Sequence, residues 1–209
     1  MSSALRIDLR CFRKLSSADP VLVELREWSR IAEELGVERN RLANRLREQL
    51  WRYFPALLEL EEDCSAEWLL EFLVLAPTPT KAARLREAEI AELLKQRRIR
   101  RFDAAAILKA VRAPPPKLAA GTVEAASAHV ASILPRLRLV NRQIKEAERK
   151  IGALIDSLTD SEDSEPGQKK QHDATILASL PGVGRIVLAT LLAEAWEPLQ
   201  RRDYAACAV

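Results

Sequence analysis

The stretch VEAASAHVASILPRLRLVNRQIKEAERKIGALIDSL, residues 123–158, decides the fold. Small or apolar residues recur along it in unbroken steps of three and four: Val123, Ala126, Val130, Ile133, Leu137, Val140, Ile144, Ala147, Ile151, Leu154 and Leu158. A straight helix turns once every ~3.6 residues, so a strict 3.5-residue period implies supercoiling around a partner helix. At about 1.5 Å per residue the rod would span roughly 54 Å. Such a seam is by itself a structural spacer, and any function rests on what the rod carries.

A second rod precedes it. Asp19 and Pro20 give a helix start, as N-cap and first helical residue. Leu25, Trp28, Ala32, Leu35, Arg39, Leu42, Leu46, Gln49 and Tyr53 then repeat the spacing up to Pro55, which ends the helix. Arg39 and Gln49 lie in this seam, where polar residues fix register at some cost in stability. The two rods are expected to pack antiparallel within one chain; self-association of either is the alternative.

The rest of the composition agrees with an all-α class. Of 209 residues, 48% are hydrophobic and only 6 are glycine, and no strand-like alternation occurs. The net charge is +3, but the basic residues cluster, and clusters matter more than the total for a nucleic-acid partner. Cys11, Cys64 and Cys207 form no C-x-x-C pair, which argues against a zinc site or a disulfide framework. With no signal-like or membrane-spanning apolar run, a cytoplasmic protein is expected.

Three basic surfaces are candidates for phosphate contact. On the first rod Arg41, Arg45 and Arg52 share a strip opposed only by Glu48. Between the rods, Ser65 is expected to cap a short core helix containing Trp68, Leu69, Phe72 and Leu73. Thr80 should cap a helix to about Gln96, and Asp103 one to about Arg112. Lys95, Arg97, Arg98, Arg100 and Arg101 crowd the turn before Phe102 with no acidic residue among them. On the long rod Arg138, Arg142, Lys145 and Arg149 line the face away from the seam, as does Pro135, which should kink the helix. The alternative for the first-rod strip is a solvated face, and for the 95–101 cluster a solvated loop. His129 is expected to be partly buried, and His172 to be a surface residue.

Asp156 to His172 is polar enough to be a linker. Beyond it, a helix ending near Ser179 and a turn at Leu180, Pro181, Gly182, Val183 and Gly184 lead into a helix from about Arg185. This is the sequence form of a helix-hairpin-helix. Its glycines permit unusual backbone conformations, and N–H groups at Gly182, Val183, Gly184 and Arg185 could bind a phosphate. Val183 should pack inward. A hairpin used only for packing is the alternative.

Three blocks in order, LRIDLRCFRKL at 5–15, ERNRLANRLREQLWRYFP at 38–55, and LPGVG at 180–184 with ATLLAE at 189–194, resemble the insertion-sequence-110 family of transposases. The resemblance implies an N-terminal RuvC-like domain with four metal-binding acidic residues, a coiled coil, and a C-terminal transposase domain with a helix-hairpin-helix-like motif and a nucleophilic serine. It further implies recombination guided by a bridging RNA, magnesium as cofactor, and oligomers on DNA. The acidic motifs would lie before Met1 and the serine beyond residues 202–206. Neither Asp8 nor Ser179 is assigned a catalytic role.

The expectation is therefore an all-α chain: a long antiparallel helical coiled coil with short inserted helices and a C-terminal helix-hairpin-helix-like module. Residues 1–18 would be a RuvC-like remnant and 19–158 the coiled-coil region, with basic helices inserted at 80–112. A polar linker over 159–172 would lead to an incomplete transposase domain over 173–209. The expected function is that of a transposase fragment in DNA transposition and recombination. It would bind DNA and a guide RNA, form homo-oligomers, and carry no catalytic or metal-binding residue, no cofactor of its own and no membrane contact. The alternative is a structural coiled-coil protein that pairs with itself or with intact transposase.

Overall fold

A computed structural model of the chain describes residues 20–114, 117–159, 176–179 and 181–195. Every regular element among them is helical, so the protein is all-α. The helices are α1 (Pro20–Tyr53), α2 (Ala56–Leu60), α3 (Glu67–Leu75), α4 (Pro79–Ala83), α5 (Glu87–Gln96), α6 (Ala104–Val111), α7 (Thr122–Thr159) and α8 (Arg185–Glu194). Residues 176–179 add one helical turn. Among the described residues no helix is long and apolar enough to cross a membrane. The chain divides into two compact units, one of residues 31–148 and one combining 1–30 with 149–209.

In the 31–148 unit, the second half of α1 and the first half of α7 supply opposite ends of the sequence to one core. Leu42, Leu46, Leu50 and Tyr53 belong to it, as do Ala126, Val130, Ile133, Leu137, Val140 and Ile144. The three-and-four spacing on α7 is thus a buried stripe. The inserted helices complete the core with Trp68, Leu69, Phe72 and Leu73 of α3, Ile90 and Leu93 of α5, and Ile107 and Leu108 of α6. Tyr53 is wholly buried, and its hydroxyl donates to the Pro77 carbonyl at 2.9 Å. Burial pushes that hydroxyl's pKa up to about 12.

Local polar contacts set the helix starts differently from the sequence expectation. Thr78, not Thr80, caps α4, its hydroxyl accepting from Lys81 N at 3.3 Å. Pro79 takes the first helical position, where its missing N–H costs nothing, and this draws the start back. The helix then breaks, and α5 restarts at Glu87 with the Glu89 carboxylate accepting from Arg86 N at 2.9 Å. Ser65 does not cap α3. Its hydroxyl donates to Asp63 Oδ1 at 2.6 Å, and Ala66 stands at the cap position. Asp103 is at the N-cap of α6 but makes no side-chain cap bond. His129 is exposed rather than partly buried. Pro135 is exposed inside α7.

In the other unit, Leu22 and Leu25 of α1, Ile151 and Ile155 of α7, and Leu188, Ala189, Leu192 and Ala193 of α8 are buried. Arg26 donates from Nε to the Ala193 carbonyl at 2.9 Å, satisfying an acceptor in the last turn of α8. Arg30 pairs with Glu194 at 3.4 Å. Helix α7 runs through Thr159, so Asp156 to Leu158 are helical and not linker. Residues 1–19, 160–175 and 196–209 lie outside the described residues, as do the readings made there for Asp19, His172 and the chain ends.

Candidate nucleic-acid interface

The basic turn after α5 is built as a closed helix end. Arg98 N donates to Lys95 O at 3.0 Å and Ile99 N to Leu94 O at 2.9 Å, the paired bonds of a Schellman motif. That motif needs a left-handed residue, and Arg98 supplies it with φ +54°. Its five cations divide into two groups. Arg97 is held by carboxylates, Nε to Glu71 Oε2 at 2.7 Å and Nη1 to Glu67 Oε2 at 3.1 Å. Arg101 pairs with Glu61 and lies 4.7 Å over the Phe102 ring. Glu61 is buried, and it also accepts from Trp68 Nε1 at 2.7 Å, so Arg101 balances a carboxylate withdrawn from water. Lys95, Arg98 and Arg100 are exposed and form no side-chain ion pair among the described residues.

The stripe on α7 is divided too. Lys145 binds Glu67. That hydrogen bond, with the charges of Lys145, Arg97 and Arg138, holds the Glu67 carboxyl below its ordinary value against the opposing effect of burial. Arg138 and Arg142 line a groove of about 760 Å³ between α3 and α7, with Val74, Pro77, Leu134 and Pro135 as its apolar part and Glu67, Glu71 and Arg97 as further charged lining. Asn141 ties α7 to the segment just before α3 through a 2.9 Å bond from Nδ2 to Ser65 O.

The α1 strip is likewise shared between two grooves. Arg41 and Arg45 meet Arg136 of α7 in one, which Glu33, Glu34 and Glu38 also line. Arg52 borders another of about 600 Å³ with Arg47, Glu48, Trp51, Leu58 and Glu62. Arg136 and Trp51 were not singled out from sequence. Arg136 sits outside the Arg138 to Arg149 spacing, and Trp51 lies outside the seam, next to the buried Leu50.

Arg149 and the hairpin belong to the other unit. Gly182 has φ +87°, which favours glycine, whereas Gly184 has φ −75° and ψ 165°, which any residue adopts. The glycine requirement expected at both positions therefore applies at Gly182. Val183 is half-buried. Arg185 does not face open solvent alone; its Nη2 meets Asp156 Oδ1 at 3.2 Å, over the backbone of Gly152. Ser179 closes its own helical turn, donating to Ile176 O. Among the described residues no three of His, Cys, Asp or Glu converge.

The fold and these sites define an all-helical protein whose surface arginines are partly spent on internal ion pairs and partly presented outward. Over 104 residues the chain is 72% identical to a protein of Sinorhizobium fredii (strain NBRC 101917 / NGR234) named as a transposase, y4uE. The aligned stretch covers 50% of this chain and 29% of that protein, so the chain spans under a third of its relative's length. No known protein-family profile matches the chain, and no solved structure does. The similarity supports a transposase-related function.

Proposed function

We propose that this chain serves DNA transposition as a nucleic-acid-binding helical body of a transposase of the insertion-sequence-110 type. The observation that carries the reading is the identity with the transposase-named relative. The outward cations Lys95, Arg98 and Arg100, with Arg41 and Arg45, are its phosphate contacts. Arg52, Arg138, Arg142, Arg149 and the hairpin from Gly182 to Arg185 form further contact surfaces. Arg97, Arg101 and Lys145 act by positioning these elements. DNA and a structured guide RNA are the partners, bound by a homo-oligomer in the cytoplasm. The rods pair antiparallel, a reading supported by the core that the second half of α1 shares with the first half of α7. Strand cleavage is assigned to no residue described above.

A second reading, a structural protein that pairs with itself or with intact transposase, draws support from the internal ion pairs of Arg97, Arg101 and Lys145. A gel shift with duplex DNA separates the two. Phosphate contact predicts affinity that falls steeply between about 50 and 200 mM salt. Absent binding at low salt, or affinity indifferent to salt, would leave the structural reading standing.

A further inference from the structure

Trp51 is 72% exposed, on a helix whose next residues inward are fully packed. Tryptophan carries a large apolar surface and is seldom left so open. Its position is rigid, since Leu50, Tyr53 and Phe54 are buried and anchor this end of α1 to the core. The ring borders a groove of about 600 Å³ with Leu58; Arg47 and Arg52 flank it, as do Glu48 and Glu62, and Arg47 donates to the Glu62 carbonyl. From residue 40 to 52, α1 carries four arginines, Arg41, Arg45, Arg47 and Arg52, against Glu48 alone. Arg41, Arg45, Trp51 and Arg52 fall on the exposed side of the helix, away from Leu42, Leu46 and Leu50.

A rigid exposed indole beside a line of arginines has the two parts that single-strand recognition uses: an aromatic face for a base and cations that track the backbone. A purely apolar protein partner would have to desolvate Arg52 to reach the ring, whereas a strand brings a phosphate to it. A regular duplex keeps its bases stacked and offers no free face. We propose that Trp51 is a stacking platform for an unpaired nucleobase of a single strand, with Arg52, Arg45 and Arg41 taking neighbouring phosphates. This rests on the nucleic-acid reading above and narrows it to unpaired segments at this surface.

The test compares wild type, Trp51→Ala and Trp51→Phe in binding oligo(dT) and oligo(U) of about 12 nucleotides, and a duplex of the same length. Circular dichroism checks that helicity is kept. Trp51→Ala should weaken binding of at least one single strand roughly tenfold or more, Trp51→Phe should recover part of that loss, and duplex binding should hold. Comparison of oligo(dT) with oligo(U) separates DNA from RNA as the strand bound. Unchanged single-strand affinity in Trp51→Ala overturns the proposal while leaving salt-dependent duplex binding intact. A dimer that Trp51→Ala dissociates, with strand affinity unaltered, overturns it in favour of a second copy of the chain. Failure of the wild type to bind any of the three probes at low salt removes the nucleic-acid reading and the platform together.

Discussion

At Arg98 the backbone takes a conformation that side chains resist. Left-handed φ costs a non-glycine residue on the order of 1 kcal/mol, and glycine is usual at this position of a Schellman motif. Arg98→Gly should therefore stabilise the protein by about 0.5–1 kcal/mol, read as a higher urea midpoint with unchanged slope. The same change should weaken duplex binding and reduce its salt slope by about one. Stability and binding moving in opposite directions would mark the side chain as useful and its backbone as strained. The sequence shows five like charges in this turn but not their different duties. Glu61, Glu67 and Glu71, which engage Arg97 and Arg101, lie 26 to 40 residues earlier and meet them only once the inserted helices have packed. A charge run read in isolation cannot separate anchors from presented groups.

Among the helices, α7 shows what periodicity conveys. Its three-and-four spacing fixes the buried stripe from Ala126 to Ile151 without knowledge of a partner. Helix starts are less legible, because a cap is decided by one hydrogen bond. At α4, Thr78 and Thr80 differ only in which side of Pro79 they occupy. Pro135 deprives α7 of one backbone bond at an exposed site. Pro135→Ala should raise stability by about 1–3 kcal/mol, seen as a higher melting temperature. The tie between α3 and α7 through Glu67 and Lys145 should depend on pH. Glu67 titrates below its ordinary value of 4.5 in the folded chain, so its pairing stabilises fully above that value and is lost as the pH falls through the lowered one. The melting-temperature gap between wild type and Lys145→Met should be present at neutral pH and close on acidification. A gap that persisted at low pH would assign the effect to packing of the lysine stem.

For the whole molecule, the fold class follows from composition and spacing, because helical periods, scarce glycine and missing strand alternation all point one way. What sequence did not convey is how the segment between the rods contributes to the core. Helices α2 to α6 are short, with too few turns to mark a core by spacing alone, yet Leu57, Ile90 and Ile107 are as buried as the rods' own seams, as are Trp68 and Phe72 of the expected core helix. Leu46 stands in that shared core with no exposure. Leu46→Ala should cost about 2–5 kcal/mol in urea unfolding. A loss under 1 kcal/mol would mean that the cavity collapses or that the α1 seam contributes little there.

The same core encloses Cys64, a thiol that burial pushes above its usual range although Arg47 partly opposes the shift. Thiolate is the form that reacts with alkylating agents, so this sulfur is protected twice, by the wall around it and by the proton it retains. Its modification must wait for the surrounding helices to part. Cys64 is therefore a timer embedded in the protein: the pace of its labelling, slow in the closed state, counts the moments when the 31–148 unit breathes open.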